Sequence, residues 1–289
     1  MTDSGRRLAR RRRTDRLMTT VMWTALFVAI VPLALILIQV VAKGAGQLSW
    51  SFLTKPEPFV QMQSGGGFGA GIRGTLKVVG LGSLIAIPVG VLAAVHLVEY
   101  GRTGIFANAV RFFSDVMTGI PSIFVGIFVY TVIVLETKSF STWAGGVALG
   151  VLMVPIVVRS AEEILRLVPP ELRDASAALG APRWKTVVRV VLPAAAPGLT
   201  TGALLAVARA AGETAPLLLT AFGNQLTVSW DKWNGPESTL TYQIYQSSNS
   251  PFLASQTRAW TGALVLVFGI LAISVAARTI ALRASSQRN

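Results

Sequence analysis

Apolar residues in this chain fall in long, nearly charge-free runs. Leu17 to Ala42 contains no charged residue and is rich in Val, Ile, Leu and Ala. Similar runs cover 78–98, broken only by Pro88 and His96, then 112–135, 143–158, 194–222 and 259–277. The third is short over 120–135 and needs the stretch back to Phe112 to reach full length. A bilayer core about 30 Å thick takes roughly 20 predominantly apolar residues per helix. The pattern therefore predicts an all-α integral membrane protein with about six transmembrane helices. A soluble fold is excluded on composition as well. Only 13% of the 289 residues are charged, against about a quarter in ordinary soluble domains.

The net charge of +13 would ordinarily suggest nucleic acid, so its location matters. Six spans place both termini on one side. That side carries Arg6, Arg7, Arg10, Arg11, Arg12, Arg13 and Arg16 in a basic tail (1–16), and Arg102 and Arg111 in the second loop. It also carries Arg159, Arg166, Arg173, Arg183, Lys185 and Arg189 in the fourth loop, and Arg278, Arg283 and Arg288 after the last span. The opposite side has Lys43, Lys55, Arg73, Lys138, Lys232 and Arg258. The asymmetry predicts cytoplasmic termini in a bacterial inner membrane. The tail then acts as an anchor on anionic lipid, and no nucleic-acid partner is needed. Its apolar run is too long for a cleaved signal and is expected to remain as the first helix.

Enzymatic chemistry finds little support. Cys is absent and His96 is the only histidine, which removes Cys/His metal sites and Cys–His nucleophile pairs. Gly69-Ala-Gly71-Ile-Arg73-Gly74 spells G-x-G-x-x-G, but no strand precedes it and a span follows. A flexible glycine-rich turn is the expectation there. No phosphate-binding loop of the G-x-x-x-x-G-K-[ST] type occurs, so any ATP used must be hydrolysed by another chain.

The 169–193 loop is punctuated in detail. Pro169-Pro170 opens a short helix with Glu171 and Asp174 early in it, and Gly180 can end it. Leu172, Ala175, Ser176 and Leu179 share one small apolar face. Pro182 starts a second helix with Trp184, Val187, Val188 and Val191 at helical spacing, and Pro193 is expected to end it. Such a knuckle suits close approach by another protein, or equally an amphipathic rest on lipid.

The fifth run holds Gly198, Gly202, Ala206 and Ala210 at every fourth residue, a ridge that lets helices approach closely. Arg209 and Glu213, also four apart, share a face and can pair. Arg209 lies sixteen residues past Pro193, about 24 Å along a helix. An arginine that deep should face protein or a water-filled path. Two roles fit: a structural ion pair between helices, or an anion site whose planar fork matches a tetrahedral oxyanion. Arg159, near the interface, is either a snorkelling anchor or part of the same path.

Asp174-Ala175-Ser176-x3-Gly180-x9-Val190-x-Leu192-Pro193 resembles the EAA loop of ABC importer permeases, E-A-A-x3-G-x9-I-x-L-P, with Asp174, Ser176 and Val190 as departures. Ala208-Arg209-Ala210-Ala211-Gly212-Glu213-Thr214-Ala215-Pro216 resembles the oxyanion branch of that family, and its G-E-T-A-P ending the phosphate (PstA-type) permeases. Gly71 to Leu76, Gly119 to Ile123, and Val158 to Glu163 leading into Leu167-Val168-Pro169 are similar to the same group. The resemblance implies a type I (MetI-like) permease for phosphate, or for another oxyanion such as sulfate, molybdate or phosphonate. A secondary anion transporter is the more distant alternative. It implies that Asp174, Ala175, Ser176, Gly180, Leu192 and Pro193 belong to the contact with an ATPase, and that Arg209, Glu213 and Arg159 line the path. It further implies no cofactor on this chain, ATP and Mg being held by an ATP-binding subunit dimer (PstB-type). The remaining expected partners are a sister permease (PstC-type), a phosphate-binding protein outside (PstS-type) and membrane lipid. The aromatic external segment 223–258, with Trp230, Trp233, Tyr242 and Tyr245, either meets the binding protein or anchors at the interface.

Overall fold

The computed structural model describes residues 3–101 and 104–286, with side chains over 11–101 and 104–279. Arg102 and Arg288, counted above among the basic positions, lie outside the described residues. Among the described residues every regular element is a helix, without strands. Five helices are long and apolar enough to cross a membrane, and a bent pair forms a sixth candidate.

The first helix, α1 (Asp3–Gly44), carries the basic tail and first apolar run as one continuous element. Its apolar length is almost wholly exposed and meets the rest of the chain only near Val40 and Gly44, against the last helix. A short α2 (Trp50–Thr54), capped by the Ser49 hydroxyl, precedes α3 (Gly69–Tyr100). The expected flexible turn at Gly69–Gly74 is instead the buried first turn and a half of α3. The reason is steric. The Gly71 amide donates to Gln243 Oε1 at 3.0 Å, and the Ser238 carbonyl occupies the space a Gly74 side chain would need.

The third run is two helices, α4 (Ile105–Gly119) and α5 (Ser122–Thr137), bent by 104°. The single span anticipated over 112–135 is thus broken. Pro121 has no amide hydrogen and holds the residue before it, Ile120, in an extended conformation. Helix α6 (Thr142–Arg166), N-capped by Ser141, is the centre of the bundle, packed between α3 and the helix after the loop. The tight core of Val78, Ala86, Leu149, Met153, Val157, Ala206 and Ala210 fuses these three.

Next come α7 (Pro170–Ala178) and α8 (Arg183–Ala211). Helix α8 runs straight through Pro193, contrary to the expected end there. A π turn over Val187–Val191 precedes the proline and supplies a local change of hydrogen-bond register where its missing amide would otherwise break the ladder. The anticipated run 194–222 stops early: α8 ends at Ala211, and the chain re-forms a short α9 (Ala215–Thr220) against α5. Residues 223–239 fold back over the N-terminal part of α3, where Gly74 and Lys77 meet them. Then α10 (Leu240–Ser248) and α11 (Leu253–Ser286) close the bundle.

Candidate functional site

Two sites emerge, one around α7 and one on the C-terminal half of α8. At the first, Pro169 and Pro170 set the entry to α7 with fixed φ, and the helix ends where Gly180 takes φ +74°, a left-handed conformation that suits glycine. Asp174, Ala175, Leu172 and Leu179 are exposed, and Leu179 and Leu167 present bare apolar side chains. The Ser176 hydroxyl is 2.8 Å from that of Thr186, tying α7 to the start of α8. Leu192 and Pro193 are placed differently. They sit at the root of the loop, where Leu192 packs against the buried cluster that includes Val95, Leu165 and Val191, and the exposed knuckle does not include them.

Beneath α7 lies a set of buried ionic contacts. Arg173 reaches Glu99 Oε1 through Nε at 3.0 Å and Nη2 at 2.7 Å, and also donates to the carbonyls of Val168 and Leu165. Glu162, 3% exposed at its side chain, accepts from Arg111 at 2.7 Å and Arg166 at 2.5 Å, with Arg159 at 3.4 Å. Arg159 also pairs with Asp115 at 2.6 Å.

At the second site, Arg209 occupies the last turn of α8. Its Nε stands 3.8 Å from Glu213 Oε1, too long for a hydrogen bond, and its side chain is 59% exposed. Glu213 is held by its backbone, whose carbonyl accepts from the Thr241 hydroxyl. The pair anticipated from the i, i+4 spacing is therefore present as a loose contact. The ridge of Gly198, Gly202, Ala206 and Ala210 faces α6. A Cβ on Gly202 would come 2.7 Å from Ser160 Oγ, and one on Gly198 2.7 Å from Ile164. That packing turns Thr201, Leu205 and Arg209 outward, onto a face this chain leaves uncovered. Arg159 is not brought to Arg209. Ser160 meets α8 at Gly202, seven residues or about 10 Å below Arg209, and Arg159 is committed to Asp115 and Glu162.

Further ion pairs lie toward the opposite end. Buried Lys77 pairs with Glu237 and lies 5.1 Å from the Trp233 ring centre, so the 223–239 segment is pinned to α3. Arg258, 1% exposed, donates to the carbonyls of Gln61 and Gln63 and faces Glu57 at 3.6 Å. Burial pushes the Glu57 carboxyl above its ordinary range, with Arg258 opposing the shift. Sequence reasoning missed Glu99, Glu162 and Arg258 as partners. Each is a charged residue within or at the end of an apolar run, and that is the signal that could have found them.

The sequence model of the binding-protein-dependent transport system inner membrane component family matches residues 86–286. The chain belongs to that family. It is 40% identical over 268 residues to the phosphate transport system permease protein PstA of Haemophilus influenzae, covering 93% of this chain and 94% of that one. Among solved structures, the MetNI methionine ABC transporter in inward-facing form matches with TM-score 0.59 and 26% identity, over 75% of this chain and 95% of its own. A bacterial alginate ABC transporter in complex with its alginate-loaded periplasmic protein shares the fold, with TM-score 0.65 and 15% identity over 96% and 98% of the two chains. This permease is accordingly an all-helical inner-membrane component of an ABC importer and a non-catalytic one. Its relatives imply a binding protein and an ATPase as partners in general.

Proposed function

We propose that this permease conducts inorganic phosphate, forming the path together with a sister permease (PstC-type) across the outward face of α8. The observation that carries the reading is Arg209. It is a guanidinium on an apolar helix, exposed by its own chain and loosely held by Glu213. A charge there is costly against lipid, by about 2.5–3.5 kcal/mol on insertion scales, and so calls for a protein or aqueous partner. Phosphate suits the fork, which offers two parallel donors to two oxygens. Glu213 would hold Arg209 between transport cycles and release it to the anion. The high identity to a named phosphate permease supports phosphate over other oxyanions.

The α7 knuckle is the docking element for the ATP-binding dimer (PstB-type), with Asp174, Ala175, Ser176 and Gly180 at the contact and Leu192 and Pro193 anchoring its root. ATP and Mg belong to that partner. The 223–239 segment and α10 meet the phosphate-binding protein (PstS-type), and both termini are cytoplasmic. Alternating access then exposes Arg209 to each side in turn. The test is phosphate uptake by the reconstituted importer with Arg209→Ala. Uptake should fall by about 10- to 100-fold, the equivalent of losing charged hydrogen bonds worth about 1.5–3 kcal/mol. Unchanged uptake at matched protein would sink the assignment.

A further inference from the structure

The Arg173–Glu99 pair joins elements that share no covalent neighbour. Arg173 stands in the middle of α7, and Glu99 lies 74 residues earlier, in the π turn His96–Tyr100 that ends α3. The same guanidinium binds the carbonyls of Leu165 and Val168 at 3.0 and 2.6 Å, where α6 ends. One side chain thus spans the tips of α3 and α6. Those two helices are locked along their length: a Cβ on Gly90 would come 2.7 Å from Val157, and Gly146 lies directly against Leu81. Glu162, one turn before the end of α6, extends the unit to Arg111 on α4. The other links from α7 are the Leu167–Pro169 stretch, the Leu179–Pro182 turn with Gly180 in its left-handed conformation, and the Ser176–Thr186 hydroxyl contact with α8.

We propose that Arg173 is the positioning residue that transmits displacement of α7 into the α3–α6 pair, with Glu99 as its anchor. The inference rests on α7 being the ATPase contact and adds the route taken beyond it. A short buried fork, held at four points, makes α7 move with α3 and α6 as one body. Without it α7 would be joined to α6 through the Leu167–Pro169 stretch alone, and otherwise only to α8, through the Leu179–Pro182 turn and the Ser176–Thr186 contact.

The test uses the complete importer in proteoliposomes, with phosphate uptake and ATP hydrolysis measured on the same vesicles. The double variant Arg173→Gln/Glu99→Gln removes both charges and strands neither. It should keep the ATPase in the purified complex and continue hydrolysis, while phosphate moved per ATP falls about tenfold, within the usual range of coupling free energies. Arg173→Lys keeps the charge toward Glu99 but loses the fork, and should recover part of that ratio. A ratio unchanged in the double variant, or uptake and hydrolysis falling in proportion, would overturn the proposal. If the double variant cannot be isolated, Arg173→Lys alone decides: a lowered ratio supports the route and a wild-type ratio refutes it. The underlying docking assignment fails separately, if Leu179→Asp leaves ATPase co-purification intact.

Discussion

Two arginine–glutamate pairs in this permease differ in almost every respect. Arg209 and Glu213 are one helical turn apart, 3.8 Å at closest approach, with the arginine 59% exposed. Arg173 and Glu99 are distant in sequence, 2.7 Å apart, with side chains 15% and 5% exposed. A pair that is short, buried and multiply bonded holds helices in place. A pair that is long and open leaves a charge available to something that arrives. In the roles proposed above, the buried pair transmits displacement of α7 and the open pair binds and releases the anion.

Stability measurements sharpen that contrast most. Arg173→Ala leaves Glu99 buried without its partner, so we expect a loss of about 3–5 kcal/mol, read as a lower melting temperature of the detergent-solubilised complex. The Arg173→Gln/Glu99→Gln double variant should lose much less, because no lone charge is stranded. Gly180→Ala comes next: an alanine held at φ +74° costs about 1 kcal/mol, visible in the same melts. Arg209→Ala should barely move stability, by less than about 1 kcal/mol, as befits an exposed pair. A large destabilisation by Arg209→Ala would remove the distinction between the two sites.

The sequence made the open pair easy to see and hid the closed one. Arg209 and Glu213 are legible because i, i+4 spacing on a helix is a local rule. Glu99 and Arg173 meet only once α3 and α7 have folded to the same end, and no periodicity reports that. Reading prolines and glycines as helix boundaries placed Pro170 and Gly180 correctly, since helix starts and stops are written in single residues. It misjudged Pro193, where the Val187–Val191 π turn absorbs the proline and lets α8 continue. The break at Pro121 was missed for the opposite reason. Hydropathy is blind to a 104° bend within an apolar run. Arg159 reads from the sequence as either an interfacial anchor or part of the path, and its ion partners Asp115 and Glu162, from two helices, are beyond any local rule.

The central claim is that Arg209 serves the transported anion and not the fold. The most direct measurement is phosphate uptake by proteoliposomes carrying Arg209→Ala, with melting temperature and ATPase co-purification recorded on the same preparation. Uptake should fall by about 10- to 100-fold while melting and co-purification stay at wild-type values. Uptake that persists, or that falls only in step with a lost fold or a lost ATPase, would contradict it.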